Sequence, residues 1–197
     1  MQSILREKLL TQAMKLTDVG KVYRSQAHSF VDAYFAWLEE AAKELSGLRS
    51  PIAILLQSER SCLNSVSDGY LPNNVQGGRG IGRVQRAVAA HSLDRVSREL
   101  YAQINNIDQT FDQLSEKLSH AVAVLATKEP EVYEKCELSQ QGVDAVMGML
   151  GRTPETIPMY NYFCAKLASI DMSYLLMDIM AKIVSNRTQA LASKNSQ

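Results

Sequence analysis

Between Gly82 and Pro130 the sequence holds neither glycine nor proline. Average helices run to about 12 residues, so a stretch this long without a breaker reads as one very long helix. Apolar spacing supports that reading. From Leu93, the residues Val96, Leu100, Ile104, Ile107, Phe111, Leu114, Leu118, Val122 and Leu125 recur at steps of three and four, which keeps them on one helical face. A helix over 83–127 would be on the order of 65 Å long.

Two further stretches repeat the pattern. Val31, Tyr34, Leu38, Ala41, Leu45 and Leu48 form one stripe, and Phe163, Leu167, Ile170, Tyr174, Met177, Ala181 and Val184 another. The last stretch carries a second stripe, Met172, Leu176, Ile179 and Ile183, so it reads as a single helix that is apolar over most of its circumference, central or at an interface. Trp37, the methionines and the tyrosines of this helix are expected in the core. Ser50-Pro51 opens a helix that Asp68-Gly69 closes, and Ser139 caps a short helix that Gly151 ends. "RTPETI" reads as a connector, with the last helix starting at Pro158. No strand-like alternation of useful length occurs. The expected fold is an elongated all-α bundle of about five or six helices, one of them very long, with coiled-coil-like packing. It forms a single domain over 1–192, with a long loop at 69–82, a short connector at 128–138 and a frayed tail at 193–197.

Composition narrows the functions. The 21 Lys and Arg balance 21 Asp and Glu, so no global field draws in nucleic acid or an anionic membrane. Cys62, Cys136 and Cys164 are scattered and form no C-x-x-C pair, which speaks against a disulfide framework or a thiolate metal site and for a reducing cytoplasm. Arg6, Glu7 and Lys8 interrupt the opening residues as a secretory signal. No apolar run approaches the roughly 18 residues of a membrane span. His28, His91 and His120 are isolated, so neither a metal nor a cofactor is implied.

The segment "QGGRGIGRVQR" at 76–86 looks most like a chemical site. It has the spacing of a phosphate loop, with Gly77 and Gly82 in place, but Arg83 stands for the lysine and Val84 for the Ser or Thr that holds magnesium. That motif also needs a preceding strand. Glycines ahead of a helix start expose backbone N–H groups, and Arg79, Arg83 and Arg86 beside them could hold an anion or a nucleic-acid backbone. Arg86-Ala-Val-Ala-Ala-His91 resembles the R-x4-6-H pattern of HEPN-type ribonucleases, an all-helical class of similar length. The resemblance implies that Arg86 would polarise the scissile phosphate and His91 transfer protons. Ala87 departs from the polar residue that often follows the arginine there. On a continuous helix the two side chains lie about 140° apart. They converge only if the helix breaks near His91, for instance by restarting with Ser92 as cap, or if two copies meet. The opening "ILREKLLTQAMKL" resembles the first helix of tetracycline-repressor-like regulators, but "DVGKVYRSQAHSFVDAYF" supplies no matching turn and recognition helix.

Charge is organised locally. Residues 79–98 hold Arg79, Arg83, Arg86, Arg95 and Arg98 against Asp94, five positive and one negative for a net of +4. Residues 129–144 hold Glu129, Glu131, Glu134, Glu137 and Asp144 against Lys135, a net of −4. Such patches can pair within the fold or between copies. The expected function is that of a non-enzymatic assembly or adaptor subunit in the cytoplasm, packing helices against itself or a protein partner through Phe163, Leu167, Ile170, Tyr174, Leu176, Met177 and Ile183. The alternative is a nucleic-acid-binding protein or HEPN-like ribonuclease, with Arg79, Arg83, Arg86, Arg95 and Arg98 as contacts and Arg86 and His91 as the catalytic pair.

Overall fold

The boundaries of the helices follow from their caps. Ser50, in extended backbone, accepts from the Ile52 N–H at 3.3 Å with Pro51 next to it, and Ser139 accepts from the Gly142 N–H at 3.1 Å. Gly151 ends the helix that Ser139 starts, and a side chain there would meet the Tyr160 ring at 3.1 Å. The computed structural model describes residues 1–70, 80–132 and 138–194, with backbone alone over 187–194. Seven helices occur among them: α1 (Gln2–Arg24), α2 (Phe30–Ser46), α3 (Pro51–Ser67), α4 (Ile81–Lys128), α5 (Gln140–Leu150), α6 (Ile157–Lys166) and α7 (Ser169–Lys194). No strand is found among the described residues.

The long helix is real and unbroken. Its 48 residues span about 72 Å, and the stripe from Val96 to Leu125 is buried throughout, with Leu93 half-buried. The restart at His91 and Ser92 that would bring Arg86 and His91 together does not occur. Ser92 is buried and its hydroxyl meets that of Tyr34 at 2.8 Å; with that partner it has no need to cap. Burial, opposed in part by the bond to Ser92, pushes the Tyr34 phenol well above the ordinary tyrosine range.

The chain divides into two compact units, Ile4–Ile107 and Met1–Ser3 with Asp108–Gln197, and α4 supplies residues to both. In the first unit the polar contacts between helices fix an antiparallel order. Lys15 meets Glu40 and Gln12 meets Glu44 between α1 and α2, while Arg60 meets Glu39 between α2 and α3. Between α3 and α4, Ser67 pairs with Gln85, Glu59 with Arg95 and Ser50 with Gln103, so one number falls as the other rises. Residues Leu16 and Gly20 of α1 line a groove with Leu93 and Ser97 of α4, which closes an up-down-up-down four-helix bundle. Its core includes Leu9, Leu38, Leu45, Leu56 and Leu100, all fully buried, each leucine contributing about 1.5–3 kcal/mol of transfer free energy. Trp37 lies in this core as expected, whereas Met14 is exposed.

The second unit packs the later part of α4 with α5, α6 and α7. Leu118, Leu125, Val143, Leu150, Phe163, Leu176 and Met180 are among its most deeply buried apolar residues. The "RTPETI" connector is ordered by two buried threonines: Thr156 Oγ1 donates to the Leu150 carbonyl at 2.8 Å and Thr153 Oγ1 to Glu129 Oε1 at 2.5 Å. The single last helix expected from 158 onward is in fact two. Leu167 adopts extended backbone (φ −118°, ψ 142°), and the Ala168 carbonyl accepts the N–H groups of Asp171 and Met172 to start α7. Asp171 is buried at that start. Its carboxylate takes the N–H groups of Gln2 and Ser3, the Ser3 hydroxyl and the Met1 ammonium, so it caps α1 from a distance. Burial raises the carboxyl's pKa, but these bonds together outweigh it and hold the group below the usual aspartate value. Helix α7 continues to Lys194, so the tail expected to fray from 193 is helical for its first two residues. The rest of that tail, residues 71–79 of the 69–82 loop and residues 133–137 of the 128–138 connector lie outside the described residues.

Candidate functional site

The arginine-rich segment meets the α1–α2 turn at one end of the first bundle. Gly80, at φ +123°, holds a backbone conformation that suits glycine, and it accepts the N–H groups of Arg83 and Val84 as α4 begins. Arg86 is turned inward. Its guanidinium donates to the Ala27 carbonyl at 2.8 Å and to the Tyr23 carbonyl at 3.1 Å, and it lies 5.4 Å from the Tyr23 ring centroid and 5.3 Å from that of Phe30. These carbonyls lie in the last turn of α1 and the turn that follows, where they also accept the N–H groups of Gln26 and Phe30, and a cation is favoured beside the C-terminal end of a helix. The Phe30 ring in turn stacks on Tyr34 and Tyr34 on Trp37, at 6.1 and 5.9 Å.

The other arginines named from the sequence are dispersed. Arg95 is exposed and pairs with the buried Glu59 of α3 at 3.1 Å, and Arg98 pairs with Asp94 at 2.8 Å. Arg83 is exposed beside Arg86, while Arg79 and the glycines Gly77 and Gly78 lie outside the described residues. His91 is exposed on the same uninterrupted helix as Arg86, about 140° round its axis. The structure therefore brings Arg83 and Arg86 together and does not bring Arg86 and His91 together within one chain. Val84, at the position a phosphate loop gives to Ser or Thr, is buried.

Around Arg83 and Arg86 opens a cleft of about 950 Å³, lined also by Tyr23, Arg24, His28 and Asp32. Arg24 joins the site from the end of α1 and His28 from the α1–α2 turn, 52 to 58 residues before Gly80 and Gly82 in sequence. That separation hides them from a motif search, although their positions beside the C-terminal end of a helix are readable once α1 is placed. No group of three or more His, Cys, Asp or Glu able to hold a metal ion is found among the described residues.

The apolar residues named from the sequence fall into two groups. Phe163, Leu167 and Leu176 are buried, and Ile183 is half-buried. Ile170 is 48% and Tyr174 51% exposed, with Met177 half-buried one turn further on. The residues between them, Met172, Leu175, Leu176, Ile179 and Met180, face the core. Tyr174, expected in the core with the other tyrosines, instead stands outside it, its ring 6.0 Å from that of Phe111. Tyr162 is also exposed, its ring under the Lys117 ammonium at 5.0 Å. With Met159, Phe163 and His120 it lines a groove of about 650 Å³ between α4 and α6. No helix among the described residues is long and apolar enough to cross a membrane.

These features define the class of protein to which the chain belongs, an all-α protein with seven helices among the described residues, one of them 48 residues long. Beyond that class, no protein-family model, no curated protein and no solved structure matches the sequence or the fold.

Proposed function

We propose that the chain is a non-enzymatic assembly subunit, packing the Ile170–Tyr174–Met177 face of α7 against a second copy of itself or a protein partner. The observation that carries this reading is that α7 presents large apolar side chains on the face opposite one already packed into the core. Ile170, Tyr174 and Met177 are spaced by four and three, the spacing by which one helix docks on another. Leaving Tyr and Ile about half exposed on one stripe costs solvation that a docked helix would recover. Against the nucleic-acid alternative stands the pairing of Arg95 with Glu59 and of Arg98 with Asp94, which offsets the charge of two of its arginines.

Light scattering on the purified chain, with the ultraviolet spectrum recorded across the same peak, tests the reading. A defined oligomer free of nucleic acid is expected, and Ile170→Glu with Tyr174→Glu should reduce it to the monomer mass without lowering thermal stability. A monomer at every concentration that also captures no protein through this face would refute it. A peak carrying nucleic acid that is shed at high salt would replace it with the arginine-based alternative.

A further inference from the structure

We propose that the cleft between the α1–α2 turn and the start of α4 binds the phosphoryl groups of a small polyphosphate-bearing molecule. Three arginines line it, Arg24 from the end of α1 and Arg83 and Arg86 from the first turns of α4, with His28 from the turn. Asp32 is the one carboxylate among the described lining residues. Counted over the arginines and Asp32, three positive charges against one leave +2 in the cleft of a chain whose formal charge is zero. The bonds that Arg86 makes to the Tyr23 and Ala27 carbonyls fix its position but do not cancel its charge. It therefore forms a pinned cationic wall, while Arg24 and Arg83 are exposed and able to reach a ligand.

The backbone adds to this field. The first N–H groups of a helix have no partner within it and carry the positive end of the helix dipole. At the start of α4, Gly80 and Gly82 border the cleft, and a Cβ on either would meet nothing within 4 Å. An anion can approach the backbone there without displacing a side chain. The volume, about 950 Å³, is at the upper end of the range for small-molecule sites and far exceeds what one phosphate fills. More than one phosphoryl group spreads its charge over arginines that enter from two helices. The remainder of the ligand would lie along Tyr23, Gln26 and Gln85, which offer a ring edge and two amides. This site is independent of the α7 face, so the two readings fail separately.

Calorimetric titration of the full chain with inorganic pyrophosphate at low ionic strength tests the proposal. One pyrophosphate should bind per chain. Arg24→Ala and Arg83→Ala should each weaken it by about tenfold or more, the loss expected for a charge-assisted hydrogen bond. Arg98→Ala, which alters an arginine on the same helix outside the cleft, should leave it unchanged. Asp32→Asn should tighten binding several-fold, a gain that no folding defect can imitate. Absence of saturable binding would overturn the proposal, as would equal weakening by Arg83→Ala and Arg98→Ala or no gain from Asp32→Asn. Binding of a single-stranded RNA that pyrophosphate cannot displace would overturn it in favour of a nucleic-acid surface.

Discussion

Replacing Arg86 with alanine removes the contact that joins the start of α4 to the end of α1. Two hydrogen bonds from a charged donor are lost, at 2.8 and 3.1 Å, each contributing on the order of 1.5 kcal/mol at this partly solvated position. Stacking on the Tyr23 and Phe30 rings, at 5.4 and 5.3 Å, adds about 0.5–1 kcal/mol. The Tyr23 and Ala27 carbonyls keep the N–H groups of Gln26 and Phe30 as partners, which offsets part of the loss. A net destabilisation of about 2–3 kcal/mol remains, which in a chain of this length lowers the thermal midpoint by roughly 4–12 °C. Thermal denaturation followed by circular dichroism would measure it, with Arg83→Ala as the control for removing a charge from the same turn. If Arg86→Ala melts within a degree or so of Arg83→Ala, the assignment of Arg86 as a structural cation is wrong.

Two other changes probe the folded state. Asp171 holds a carboxyl pKa below its unfolded value, so its contribution is complete above about pH 4, the ordinary aspartate range, and fades as pH falls through the folded value. Asp171→Asn should cost about 1–2 kcal/mol at neutral pH, the loss of a helix cap, and the gap to wild type should close in acid; a gap that stays constant down to the acid transition would contradict this. Tyr34→Phe deletes a buried hydroxyl and leaves that of Ser92 without its partner, for a loss of about 1–2 kcal/mol in urea titrations. The double change with Ser92→Ala should recover part of it, and simple additivity of the two would argue against the bond.

The sequence revealed some of this architecture clearly and left other parts hidden. The long helix was readable because its stripe is local: Val96 to Leu125 repeat on one face whatever they pack against, and no glycine or proline interrupts. The caps at Ser50 and Ser139 were readable for the same reason. The break at Leu167 was not, since apolar spacing runs through it and neither glycine nor proline marks the place. The buried Asp171 in the first turn of α7 was the available clue. Arg86 read as an anion-holding or catalytic cation because its partners, Tyr23, Ala27 and Phe30, are distant in sequence and give its neighbourhood no periodicity. The exposure of Tyr174 is likewise a property of how α7 is rotated, which Asp171 and the Met172–Met180 side chains decide together.

The order of the first bundle bears on how fast it can form. Each helix pairs with the next along the chain, so Gln12 reaches Glu44 across 32 residues, Arg60 reaches Glu39 across 21 and Gln85 reaches Ser67 across 18. Loops that short close at small entropic cost, and a topology dominated by them belongs to the class that folds in microseconds to milliseconds. Joining α4 to α1 is the distant step, 59 to 63 residues from Arg86 to Ala27 and Tyr23. Three helices can thus form a partial bundle while the fourth is still being synthesised, and the Arg86 latch engages only as the ring is completed.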